Sequence, residues 1–280
     1  MLAVVTVACH ADGAAEVARP VDSQAQAMAS PAVQTRAAQP PPAKSVAPKS
    51  KCEPLTELDV LFIGNSYLNH HHLPQRLAQM GDDAGIRIGV DKVTMGGESF
   101  EYHVTHRKTG KLLRARDWDV VVLQSHSLDP LRNAEGFALA GAALGAKARA
   151  IGAEPVLFET WARRAGHNLY NYFEPTGGSP RAMQAKVSAA YAALGKGESM
   201  RVAPVGRAWL RAIQEHPEID LFVKDGGHPG PAGAYLGACV VFSLLTDRAV
   251  VGGAEASEGL GEAEAVKLRQ VAADIVQPHC

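Results

Sequence analysis

Little in this chain's charge points to a polyanionic partner. Its 280 residues carry 28 Lys plus Arg against 29 Asp plus Glu, a formal net charge of −1. No basic stripe stands out, so nucleic acid is not expected as a partner. Long apolar runs are missing as well, and none approaches the ~20 residues of a membrane-spanning helix. Cysteine is scarce: Cys9, Cys52, Cys239 and Cys280 contain no CxxC pair, which argues against a zinc ribbon or a thioredoxin-like site. Internal repeats are absent, which argues against solenoids and propellers. What is present, 46% hydrophobic and 20% charged residues, is an ordinary globular composition with room for a sizeable core.

The N-terminal part is read apart from the fold. In residues 1–9 a short apolar stretch ends at Thr6-Val7-Ala8-Cys9. This resembles the end of a bacterial lipoprotein signal, but it lacks a basic start and has Thr6 in place of an aliphatic residue. Residues 10–54 are rich in Ala, Pro, Gln, Ser and Val, with Pro40-Pro41-Pro42 and no aromatic residue. Such a segment buries too little apolar surface to offset its ordering entropy and reads as a disordered tether. The expectation is an exported protein of the bacterial periplasm or cell envelope, with membrane attachment only through a lipid on Cys9. Cys52 and Cys280 flank the remaining chain and are expected to pair in an oxidising compartment. Cys239, inside an apolar helix, reads as a small core residue.

From Leu55 onward the pattern is regular. Apolar runs at Leu58–Gly64, Ile86–Val93, Asp119–Gln124, Pro155–Glu159 and Met200–Val205 are short and bounded by turn residues, as buried strands are. Helical spacing covers 73–84, 100–116 with a break expected at Gly110, 133–152, 181–194, 206–215, 231–246 and 262–276. Strands alternating with helices, without hairpin signals, predict a parallel sheet covered on both faces. One domain is expected over 55–250. A loop and amphipathic helix, 251–280, are expected to pack on it.

A parallel sheet brings the strand C-termini to one edge, where ligands of open α/β sheets sit. Ser66 lies there on a Gly64-Asn65 turn, Gly96-Gly97 follows the second strand, and Gln124-Ser125-His126-Ser127 follows the third. The late loop Asp225-Gly-Gly-His228-Pro229 closes on the same edge. A serine hydroxyl needs a base to become a nucleophile, and His228 would take its proton. Asp225 would hold the other ring nitrogen and fix the tautomer. An oxyanion needs preorganised donors. The backbone N–H of Ser66 and of Gly97 are candidates, with a third from Gln124 or His126. Asn65, Tyr67, Trp161, Arg163 and Tyr170 are the expected substrate contacts, the last three from a long loop over 160–180. The His70-His71-His72 run lacks a carboxylate cluster, so no metal is expected. It reads as rim, and no cofactor is implied.

In order and content these blocks resemble the SGNH (GDSL-type) hydrolases, from about Leu58 to about Leu245. The resemblance implies a three-layer α/β/α sandwich with a five-stranded parallel, flavodoxin-like sheet. It also implies a Ser66, His228, Asp225 triad with Gly97 as second oxyanion donor, and esterase or acetylesterase activity. Two departures stand out. The first block reads Gly-Asn-Ser where Gly-Asp-Ser is usual. The Gly-x-Asn-Asp block after the third strand is replaced by Gln124-Ser125-His126-Ser127, which leaves two candidates for one donor. The expected function is hydrolysis of an O-acetyl ester on a carbohydrate through an acyl-enzyme. The alternatives are a short-chain acyl esterase of another small-molecule alcohol, or a non-catalytic carbohydrate- or cell-wall-binding protein on the same fold.

Overall fold

The computed structural model describes residues 55–251 and 259–279. The expectations for Cys9, the tether and the Cys52–Cys280 pair lie outside these residues.

Strands β1 (Glu57–Gly64), β2 (Arg87–Thr94), β3 (Val120–Leu123), β4 (Glu154–Phe158) and β5 (Arg201–Ala203) form one parallel sheet. Its order is β2-β1-β3-β4-β5, the flavodoxin-like order, in which the chain changes direction across the sheet between β1 and β3. Eleven helices connect and flank the strands: α1 (Ser66–Asn69), α2 (Leu73–Asp83), α3 (Phe100–Thr105), α4 (Arg107–Leu113), α5 (Asp129–Arg132), α6 (Ala134–Ala150), α7 (Leu169–Tyr172), α8 (Pro180–Gly197), α9 (Val205–Glu215), α10 (Pro231–Thr246) and α11 (Glu262–Val276).

The period of two along each strand sorts the core into two layers. Val60, Phe62, Val122, Val156 and Phe158 face a cluster built with α2, α9, α10 and α11. Leu61, Ile63, Val121, Leu123 and Leu157 face a second cluster built with α3, α4, α6 and α8. Because both faces are covered, the central strands are continuously apolar, the pattern a parallel sheet requires. Helix α10 is apolar nearly all round and is buried through most of its length, as such a helix must be. Each of its large apolar side chains contributes about 1.5–3 kcal/mol by leaving water.

Three local features differ from the expectations. The helix over 100–116 breaks at His106, which is extended at φ −66°, ψ 122°, whereas Gly110 lies inside α4. The break turns α4 back so that His103 and His106 both bond the Thr109 hydroxyl, at 2.9 and 3.1 Å. The 160–180 loop carries α7 and a 3-10 turn at Glu174–Thr176. The His70–His72 run is a 3-10 turn in which His71 and His72 are left-handed, φ 50° and 55°, a conformation that is uncommon outside glycine.

Candidate active site

The site grows from the end of β1. Asn65 is extended and caps α1, its Oδ1 accepting from the Tyr67 N–H at 3.1 Å. Its Nδ2 donates to the Glu98 carbonyl at 2.9 Å, joining this turn to the glycine turn after β2. Its backbone N–H donates to Gln124 Oε1 at 2.9 Å, joining it to the end of β3. This last bond requires glycine at 64, where a Cβ would lie 2.5 Å from Gln124 Oε1 and 2.8 Å from Leu68 Cδ1. From below, His103 Nε2 donates to the Gly64 carbonyl at 2.9 Å while its Nδ1 accepts from Thr109. Burial pushes His103 down to about 4, so near neutral pH the ring is uncharged and fits this role.

Ser66 stands on that turn at the β1–β3 switch. Its Oγ is 2.8 Å from His228 Nε2. His228 Nδ1 is 2.6 Å from Asp225 Oδ2, and Asp225 Oδ1 accepts from the N–H groups of Gly227 and His228 at 2.8 and 2.9 Å. Partial burial raises the Asp225 carboxyl. The Gly227 N–H and the His228 ring outweigh this and hold it down at about 2. A carboxylate at Nδ1 favours the proton there, leaving Nε2 free to accept from serine.

Beside Ser66 lies a cavity of about 130 Å³ lined by Asn65, Ser66, Tyr67, Gly97, His126, Ser127, Arg163 and His228. Among the described residues, no protein acceptor takes the backbone N–H of Ser66 or of Gly97. Gly97 is left-handed at φ 74°, and a Cβ there would meet nothing within 4 Å. Its glycine is thus required by conformation rather than by crowding. His126 Nδ1 accepts from the Leu128 N–H at 3.2 Å, which places the neutral ring's proton on Nε2. Burial lowers its pKa, favouring that neutral form.

Three expected site residues have other positions. Gln124 is fully buried and does not line the cavity. Its carbonyl is held by Asn65, and its amide donates to the Ser125 carbonyl. It therefore braces the serine turn and is not an oxyanion donor, leaving His126 as the candidate. Trp161 is 1% exposed. Its ring lies between Tyr67 and Trp209, at 4.6 and 3.9 Å between centroids, and its Nε1 donates to the Gly227 carbonyl. Tyr170 donates its hydroxyl to the Arg163 carbonyl at 2.6 Å. Both tyrosine and tryptophan support the site instead of facing ligand. Asn65 and Tyr67 do line the cavity, although the Asn65 side chain is committed to backbone.

Sequence reading passed over His103 and gave His70 only a rim role. The His70 ring stacks on His228, centroids 4.5 Å apart and planes at 24°. Its place four residues after Ser66 on the same helical turn is the one signal that pointed to it. Among the described residues no group of three metal-ligating side chains is gathered.

A doubly wound parallel sheet with a hydrogen-bonded serine, histidine and aspartate at its switch edge has the architecture of α/β serine hydrolases. Comparison with solved structures narrows this. A protein of Slackia heliotrinireducens assigned as an SGNH hydrolase is 28% identical, spans 68% of this chain and 100% of its own, and superposes at TM-score 0.58. A DUF4886 family protein from Bacteroides uniformis is 21% identical over 79% of this chain and 95% of its own, at TM-score 0.68. The acetyl xylan esterase AlAXEase is 16% identical over 66% and 98%, at TM-score 0.54. The last two speak for the fold alone. No family model and no curated protein matches the chain. The chain is thus similar to an SGNH-type hydrolase and has the three-layer α/β/α fold of such proteins.

Proposed function

We propose that this protein is a serine esterase that removes a short acyl group, acetyl above all, from a polyhydroxylated alcohol such as a carbohydrate. The carrying observation is the continuous chain from Ser66 Oγ through the His228 ring to Asp225. His228 Nε2 takes the hydroxyl proton as Oγ attacks the ester carbonyl carbon. The N–H groups of Ser66 and Gly97 and the His126 Nε2–H receive the oxyanion. Collapse breaks the bond to the alcohol oxygen, which leaves with the proton from His228, and the acyl group stays on Ser66. Water then gives a proton to His228 and attacks the acyl-enzyme. Collapse returns that proton to Ser66 Oγ and releases the carboxylic acid.

The cavity volume supports a short acyl chain. About 130 Å³ beside Ser66 leaves room for an acetyl group. A rim of Ser127, His126 and Arg163 favours a polar alcohol. The SGNH-like fold shared with an acetyl xylan esterase agrees with a carbohydrate, although Trp161 and Tyr170, two of the expected substrate contacts, are turned to other work.

The test is hydrolysis of p-nitrophenyl acetate and of acetylated polysaccharides by wild type and Ser66→Ala. Wild type should release acetate, and the variant should lose roughly 10³-fold or more in kcat. Equal rates in the two proteins would refute the assignment.

A further inference from the structure

Among the described residues, Arg163 is the one lysine or arginine that lines the Ser66 cavity. It carries five N–H donors; among the described residues they have one hydrogen-bond partner, the Ser127 hydroxyl, which accepts from Nη2 at 2.9 Å, and the guanidinium also lies 5.6 Å from the centre of the Tyr67 ring. Among the described residues no carboxylate comes within ion-pair distance of it. Asp225 acts on it only from farther off, and both Asp225 oxygens are already engaged. The neighbouring Arg164 shows the contrast. Outside this cavity, its Nη2 meets both oxygens of Asp220, at 2.8 and 3.0 Å.

The placement of Arg163 is built. The Ala162 N–H is held by the buried Gln184 Oε1 at 2.8 Å, the Arg163 carbonyl by the Tyr170 hydroxyl, and the Arg164 N–H by the Gly226 carbonyl at 2.8 Å. Three successive residues are thus pinned. The guanidinium lies over Gly227, where a Cβ would come within 2.6 Å of Nη1. Removing a cation from water without a counter-charge is costly. Here a guanidinium is fixed beside the nucleophile with most of its donors unmatched.

We propose that Arg163 is an anion-recognition residue, so that the preferred substrate is an ester carrying a carboxylate within a few bonds of the scissile carbonyl. The inference rests on the esterase reading and names its substrate class. The planar fork of arginine suits bidentate binding of a carboxylate. That group has two sources: an acidic alcohol, such as a hexuronic acid, or an acyl group derived from a dicarboxylic acid.

Matched ester pairs separate them. 3-Acetoxybenzoate against 3-acetoxybenzamide places the charge in the alcohol, and monophenyl succinate against phenyl succinamate places it in the acyl group. Wild type should favour the charged member of one pair by about 10- to 100-fold in kcat/KM, the range expected of a charge-assisted bond. Arg163→Met should collapse that ratio towards one, and Arg163→Lys should keep part of it. An Arg163 that serves the oxyanion or the fold would lower both members of a pair alike, and that result, or ratios near one in wild type, overturns the proposal. A binding arm needs no turnover. Succinate should bind Ser66→Ala protein by calorimetry, succinamide should not, and adding Arg163→Met should abolish the difference. If no ester is hydrolysed, the esterase reading fails, and the calorimetry alone decides for or against the anion site.

Discussion

Replacing Gln124 and replacing His126 should damage the protein in different ways, although the two residues stand two positions apart. Gln124 is fully buried. Gln124→Leu keeps most of the volume but leaves the Asn65 N–H without its acceptor. A buried unsatisfied donor costs about 1–3 kcal/mol. Gln124→Ala adds a cavity, and truncation of a buried side chain of this size brings the total to roughly 3–5 kcal/mol. For a domain of this size about 2–4 °C is lost per kcal/mol, so the alanine variant should melt roughly 6–20 °C lower. His126 is partly exposed and lines the cavity. His126→Ala removes one neutral bond to the Leu128 N–H, which water replaces, so stability should fall by about 1 kcal/mol. Losing an oxyanion donor, however, costs about 10²–10³ in kcat. The assay is thermal unfolding and p-nitrophenyl acetate kinetics on all three variants. The reasoning is refuted if Gln124→Leu melts like wild type yet loses 10²-fold in kcat while His126→Ala stays within threefold. In that event the glutamine amide, not the imidazole, reaches the oxyanion.

Two further outcomes follow from the geometry. Asp225→Asn keeps the shape of the loop but removes the carboxylate that holds the His228 Nδ1 proton. By analogy with serine-protease triads, kcat at pH 7–8 should fall by about 10³–10⁴, and a loss below tenfold would mean that the histidine is oriented by something else, such as its stack on His70. His103, held near 4 by burial, binds fewer protons in the folded chain than in the unfolded one, whose histidine titrates at 6.5. Its contribution to stability is therefore complete above pH 6.5 and is lost as pH falls towards 4, by about 3 kcal/mol at about 1.4 kcal/mol per unit. Denaturant unfolding of wild type and His103→Gln across that window should show the gap between them closing as pH drops, and parallel curves would rule the effect out.

What could be read from the sequence divides along a physical line. The strands, the helical layers on both faces and the edge that gathers Ser66, Gly97 and the Asp225–His228 loop follow from periodicities of two and 3.6 and from turn residues, all local properties of the chain, whereas the flavodoxin-like sheet came only with the family resemblance. Gln124, His103 and Trp161 were misread or missed because their roles are set by partners 59, 39 and 66 residues away, which no local pattern encodes. The departure at Gln124-Ser125-His126 shows why position-by-position comparison stalls at a strand end. Both faces of this sheet are covered, so a residue that still continues the strand is buried whichever way it points. Gln124 and Ser125 turn into the protein, Ser125 bonding the Phe100 N–H and Asp129, and only with His126 does the chain leave the sheet and open towards the cavity. A polar pair in such a place is best assigned by asking which member the strand forces inward. Gln124 follows directly on the last residue of β3 and donates its backbone N–H to the Ile63 carbonyl as the ladder continues, so its side chain is committed to the interior before any motif is considered.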